Sequence, residues 1–449
     1  MKKLSFSIVI IFLSLLTSVD GQGEWTTEIM NAKKLGMGVA QLGAKVYFGG
    51  GLTVEGVTNL VEVYDVNTNT WSYSHLPTAR NFCAAVASGS KVFFAGGMDV
   101  SGSTLNSIDI LDVNTYQWNT TQLESPVFSL SAVAYDSIVL FAGGGDFTTN
   151  TESNVVKVYN TATGEWSSTF LSEARASMGA TVGGDLAFFA GGLLFSNNNT
   201  TDKVDIYNFT TGTWTTDKLS EARFSVAATT VGNKVLFAGG QHADGSLSKR
   251  VDIYDLGTRE WSIDSLSVAR PAAGAATVCN KAYFVGGMQV NTTTNQIVGD
   301  YDEIDIYNEE TGDWSLEFLP FNLFGHTTSS LGDHLLIGGG GTISGEFIQL
   351  RDEVRIFTCI PVSTSLLNHS PNLLVYPNPT SGMLYLDFQD NQPKIKVSII
   401  DVAGKVLNSS SVVNADLVSI NTDDLNEGVY IVQVQTKNEI GAFRFVVVK

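Results

Sequence analysis

Seven glycine doublets recur along the chain at nearly constant spacing, beginning at Gly49, Gly96, Gly143, Gly191, Gly239, Gly286 and Gly338. All seven tryptophans keep step with them, at Trp25, Trp71, Trp118, Trp166, Trp214, Trp261 and Trp314. Each tryptophan precedes the next doublet by 24 or 25 residues. A period of 47–52 residues that uses every tryptophan marks a repeat architecture. In such folds one unit cannot bury its apolar face alone and must stack on its neighbours. The interval from a doublet to the next tryptophan is 22 or 23 residues five times and 28 once, so length variation is confined to that half.

Aligned on the doublets, each unit reads as four short strands. The first follows a basic residue 16 positions before the doublet and is rich in small residues, as in Arg80–Ala87 and Gly179–Val182. Small side chains suit the crowded strand nearest a central axis. The second is apolar and runs into the doublet, as in Lys91–Ala95 and Lys234–Ala238. The third alternates with period two, as in Val204–Tyr207, Val251–Tyr254 and Ile304–Tyr307. An Asn/Thr/Gly turn such as Asn208–Gly212 follows, and the fourth strand opens on the tryptophan. Four-stranded sheets repeated about an axis make a β-propeller.

In these motifs the chain resembles the kelch-repeat family over residues 22–358, in seven units. The resemblance implies an all-β, seven-bladed propeller. Leu111 replaces the usual tyrosine in unit two, and Val127 and Asn322 stand where units three and seven should carry the basic residue. Trp25 has no doublet before it, and the last unit, ending at Phe357, has no tryptophan after it. The N-terminal strand is therefore expected to complete blade seven.

From Asn372 the period stops. Residues 359–371 read as a linker, and 372–449 as a small Ig-like β-sandwich of alternating strands and Asn/Asp/Gly turns. The tail, with Tyr376–Pro379 near its start and Glu427–Tyr430 near its end, resembles the type IX secretion C-terminal sorting domain of Bacteroidota. The resemblance implies Sec export, engagement of type IX secretion machinery, and release or display outside the cell.

Residues 1–21 read as a signal peptide, with Lys2 and Lys3 before the apolar Leu4–Leu16 and small residues before a cleavage point after Gly21. No later apolar run is long enough for a membrane helix. Without Lys2, Lys3 and Asp20 the net charge moves from −19 to −20, which repels nucleic acid. Cys83, Cys279 and Cys359 are far apart, with no CxxC spacing, and are expected to be buried thiols.

Function is expected on the loops after each doublet, which crowd one rim of a propeller and vary in length and sequence. The candidates there are Phe147, Phe195, His242 and Tyr301. Arg80, Arg175, Arg223 and Arg270, with Lys33 at the same phase, form a second set. As a ligand clamp they would hold an anionic sugar by charge-assisted bonds. As architecture they would pair with acidic neighbours such as Glu173 and Glu221, which is the expectation favoured here. His75, His242, His326, His334 and His369 are scattered, with no metal-ligand spacing, so no metal, cofactor or catalytic residue is assigned. The reading is a secreted or surface kelch propeller that binds an extracellular glycan or protein without chemistry. The alternatives are a sialate-mutarotase-like or kelch-oxidase-like enzyme, and a structural adhesion component.

Overall fold

Period-two alternation and β-branched runs give strands almost throughout. The computed structural model describes residues 23–359 and 373–449, apart from 272–273, 292–293, 295, 346, 393–394, 402–405, 414 and 436–439. The leader expected over 1–21 and residues 360–371 of the expected linker lie outside the described residues. Two compact units result, one of them Gly23–Cys359.

That unit is a β-propeller. Among the described residues seven antiparallel sheets each hold four principal strands, of which Gly38–Leu42, Lys45–Gly49, Leu60–Asp65 and Thr70–His75 form the first. Blade six is extended at the rim by a hairpin in which Met288–Val290 pairs with Ile297–Asn308. Blade seven comprises Thr327–Leu331, His334–Gly338 and Glu353–Cys359, with Gly23–Ile29 as its outer strand. Trp25 pairs with Phe357 across that last ladder. Each innermost strand lies beside the innermost strand of the next blade, and Thr327–Leu331 lies beside Gly38–Leu42.

The glycine doublets tie the blades together. The second glycine donates its N–H to a carbonyl of the following blade. Gly51, Gly97, Gly144, Gly192, Gly240 and Gly287 reach Arg80, Val127, Arg175, Arg223, Arg270 and Leu323 at 2.8–3.0 Å. Gly340 donates to Lys34 of blade one at 2.9 Å. The first glycine of each pair has φ between 56° and 69°. A Cβ there would sit 2.2–2.6 Å from the same carbonyl oxygen, so no other residue fits.

The tryptophans act at the periphery. The indole N–H of Trp118, Trp214, Trp261 and Trp314 donates to Ser74, Thr169, Asp217 and Asp264 at 2.8–3.0 Å. Each acceptor stands three residues after the tryptophan of the preceding blade.

The cysteine expectation is corrected. Cys279, in the inner hairpin of blade six, is disulfide-bonded to Cys359, with Cα atoms 6.4 Å apart. Cys83 is a free thiol, its pKa pushed up by burial. Cys359 ends the last strand of blade seven, so the propeller runs one residue into the segment expected as linker.

The tail packs a sheet of Leu373–Tyr376, Met383–Gln392 and Ala415–Asn421 with a sheet of Val406–Val412, Ile395–Asp401, Gly428–Gln435 and Ile440–Val447. Leu384, Leu386, Val397, Val432 and Phe445 fill the sandwich core between them.

Candidate functional site on the loop face

The arginine series lies inside the blades. Arg80, Arg175, Arg223 and Arg270 have no exposed side-chain surface. Each meets an aspartate on the third strand of its own blade. Arg80 pairs with Asp109 at 2.5 Å, Arg175 with Asp205 at 2.7 Å, Arg270 with Asp305 at 2.5 Å, and Arg223 with Asp252. A second bond runs to a backbone carbonyl of strand two, such as Phe189 at 3.1 Å or Phe284 at 2.9 Å. The expected partners are corrected accordingly. Glu173 meets Arg175 only through its carbonyl and pairs instead with Lys203 at 3.6 Å, while Glu221 reaches Arg223 at 3.4 Å as a secondary contact.

Two register corrections follow where an extra glycine precedes the working pair. In blade one the working pair is Gly50-Gly51, which puts Lys34, not Lys33, in the buried position, where it meets Glu62 at 2.9 Å. Burial pulls the Lys34 ammonium below the usual lysine range, with Glu62 opposing. In blade seven the pair is Gly339-Gly340, and the residue at the basic position is Leu323, not Asn322.

The departures now make physical sense. Where Val127 and Leu323 replace the cation, the third-strand acid is also replaced, by Lys157 and Arg355. Lys157 turns out to Glu124 at 2.9 Å, and Arg355 lies over the Trp25 ring at 5.3 Å. Among the described residues no third-strand carboxylate is left buried without a cation, the arrangement that costs most. Guanidinium groups that are buried and already paired offer nothing to an anion at the channel mouth.

The rim candidates fall in three places. Phe147 and Phe195, from the loops of blades three and four, come into contact with ring centroids 4.9 Å apart. Phe128 stacks beneath Phe147 at 4.2 Å. Phe195 is buried, whereas Phe147 is 49% exposed at the top of the cluster. Glu152 accepts bonds from the Ser196 hydroxyl at 2.6 Å and its N–H at 3.1 Å, tying the two loops into one platform.

His242 lies beside a cleft of about 510 Å³ lined also by Glu221, Lys249, Arg250, Ile263 and Asp264. Its Nδ1 faces the Ala222 carbonyl at 2.8 Å, and its Nε2 is 4.0 Å from Glu221. Glu221 is engaged by Ser248 and Arg223. Donors and acceptors of both signs around one exposed apolar side chain, Ile263, suit a polar, hydroxyl-bearing ligand.

Tyr301 sits half-buried on the long strand of blade six, its phenol pKa raised first by burial and then by Glu303. Asn322 donates to the Asp300 carbonyl at 3.1 Å, and Asp300 accepts the Ile343 N–H at 2.7 Å, fixing the rim where blades six and seven meet. Sequence reasoning missed Phe128, Lys249, Arg250 and Asp264, which carry no signal outside their fold neighbours. It also passed over His326, although an alignment of the repeats shows a histidine where five other units carry Met37, Cys83, Leu130, Met178 and Val226. Among the described residues no group of three His, Cys, Asp or Glu is placed to hold a metal ion.

Comparison with known proteins agrees with this organisation. Residues 36–222 match the KLHDC2/KLHL20/DRC7 Kelch-repeats domain, and residues 222–263 match the Kelch motif. Residues 374–449 match a Secretion system C-terminal sorting domain. No curated protein sequence matches the chain. A solved structure titled "Structure of YjhT" is similar at 14% identity and a TM-score of 0.49, over 65% of this chain and 99% of that one.

Proposed function

We propose that this kelch-repeat propeller, which carries a secretion-system sorting domain at its C-terminus, is a secreted or cell-surface binding module. Its loop face takes an extracellular glycan or protein and does no chemistry. The observation that carries the reading is Phe147, half-exposed on a platform of Phe128 and Phe195 whose loops are locked by Glu152. An aromatic face held rigid and open to solvent stacks on a sugar ring or an apolar side chain with little ordering cost. The Glu221–His242 contact is the feature closest to an acid–base pair. Glu221 is already committed to Ser248 and Arg223, which favours a structural role there.

A glycan array probed with the full chain tests the reading, with extracellular proteins captured by the same chain as the second arm. Specific capture that Phe147→Ala abolishes is expected. Turnover of a captured glycan by the wild-type chain would overturn the non-catalytic reading. Export through the tail is tested by removing 373–449 and fractionating the producing cells. The truncated chain should accumulate in the periplasm, and wild-type amounts outside the cell would refute the route.

A further inference from the structure

The bond between Cys279 and Cys359 sits on a seam that recurs around the ring. The residue after the third strand of one blade meets the inner-hairpin turn of the blade before it. Thr161 lies against Gly89, where a Cβ would stand 3.2 Å from its Oγ1, and Glu309 lies against Gly232, where a Cβ would stand 2.6 Å from its Cδ. Thr161 also meets the Ser88 hydroxyl at 3.3 Å. Between blades six and seven the same contact falls to Cys359 and Cys279, and there it is covalent. No other unit carries a cysteine at either position.

Cys279 breaks a local backbone rule. Its φ is 52°, in the left-handed region. The equivalent turn residues have φ between 50° and 62°, and they are Gly43, Gly89, Gly184, Gly232 and Gly332, with Asp136 in blade three. Glycine adopts this conformation freely and aspartate tolerates it, whereas a cysteine side chain is strained there. Departures from local preference concentrate at functional positions. The address of the bond is also particular. Cys359 ends the last strand of the propeller, and Gly23 stands opposite it at the start of the N-terminal strand. Both ends of the propeller chain therefore meet beside this one covalent seam.

We propose that Cys279 and Cys359 form a redox lock on the closing blade, open in a reducing compartment and shut after export. The proposal rests on the reading of the chain as an exported protein. Thiols persist in the cytoplasm, and disulfides form beyond the inner membrane. Closing the lock takes two electrons and two protons from the thiols and passes them to the disulfide of a donor oxidoreductase, which leaves as a dithiol. In the thiol state Cys279 keeps its strained backbone, and the third strand of blade seven is held by non-covalent contacts alone. In the bonded state that strand is tied to blade six across 80 residues of sequence, which restricts the unfolded chain. Cys359 is buried, while Cys279 is exposed and gives thiol reagents a way in.

The test melts the purified full chain oxidised and after dithiothreitol, beside Cys279→Gly with Cys359→Val, the residues that blades one and two place there. The oxidised chain should melt about 5–10 °C above the reduced one. The double variant should fall between them, because glycine relieves the turn but no bond replaces the sulfurs. Limited proteolysis should cut the reduced chain first within Gly23–Ile29 or Glu353–Cys359, where the oxidised chain resists. Equal melting or equal cleavage of the two redox forms overturns the lock, and so does a double variant as stable as the oxidised chain. Alkylation in denaturant should label all three cysteines of the cytoplasmic precursor and Cys83 alone in the exported chain. A bond already present inside the cell, or three free thiols outside it, overturns the timing. The melting and cleavage arms use purified protein, so they decide the lock even where the export reading fails.

Discussion

Replacing Arg175 by methionine should destabilise the propeller far more than replacing Arg175 and Asp205 together. The guanidinium is buried, 2.7 Å from the Asp205 carboxylate, and donates to the Phe189 carbonyl at 3.1 Å. Arg175→Met strands an ionised carboxylate in the blade interior, a change that costs about 3–5 kcal/mol. Arg175→Met with Asp205→Leu removes both charges. Its remaining losses are the bonds from Arg175 to the Phe189 and Glu173 carbonyls and the bond from the Ser172 N–H to Asp205, together about 1–3 kcal/mol. The two substitutions should therefore be non-additive by at least about 2 kcal/mol. Denaturant midpoints at constant slope measure this directly. A single Arg175→Met that costs under about 1 kcal/mol, or a double variant equal to the sum of its parts, would refute the assignment of these arginines to architecture. Blades three and seven already show the paired exchange, with Val127 beside Lys157 and Leu323 beside Arg355.

Gly191→Ala should cost about 3 kcal/mol or more, because its Cβ would stand 2.4 Å from the Arg223 carbonyl at a φ of 65°. Gly212→Ala, also at positive φ but with its nearest contact at 3.8 Å, should cost only about 1–2 kcal/mol, which thermal denaturation of the pair would show. Burial lowers the His326 pKa from the ordinary histidine value to about 4, opposed by a hydrogen bond with the Val285 backbone. The unfolded chain then takes up the proton first, so stability is full above pH 6.5 and falls by about 3 kcal/mol as the pH drops towards 4. His326→Met should flatten that slope in urea titrations across this range. Trp25 is half-buried, tilted against Phe357 at 5.2 Å with Arg355 over it. If its strand seals the ring, Trp25→Ala and Trp166→Ala should each cost about 2–3 kcal/mol, below the full range for a buried aromatic. A neutral Trp25→Ala beside a severe Trp166→Ala would mean that the ring closes otherwise.

What repeats was legible in the sequence. The doublets, the tryptophans and the alternating third strand each serve a contact made once per blade, so seven copies of the signal reinforce one another. The register slipped by one only where an extra glycine, Gly49 or Gly338, stands before the working pair; the extra Gly145 follows its pair and leaves the register intact. The true partners of the buried arginines were also repeated, as Asp109, Asp205, Asp252 and Asp305, each two residues before the Tyr or Leu of strand three. A nearer glutamate drew attention from them, although it lies on the connecting turn rather than across the blade. The Cys279–Cys359 bond was not legible, since it joins two blades at positions that no other unit repeats. The rim falls between these cases. Phe147 and Phe195 stood out by composition, but Phe128 completes the platform only because two loops from successive blades fold over it.

The most direct measurement compares Phe147→Ala with Arg270→Ala, by calorimetry with whichever glycan or protein the full chain captures, alongside melting temperatures of the two variants. Recognition on the rim and architecture within the blades predict opposite patterns. Phe147→Ala should lose binding while melting near wild type. Arg270→Ala, which strands the buried Asp305, should melt well below wild type yet bind normally in its folded fraction. Binding lost in a stably folded Arg270→Ala, weakening with added salt as an exposed ion pair does, would contradict the account and return the arginines to the site.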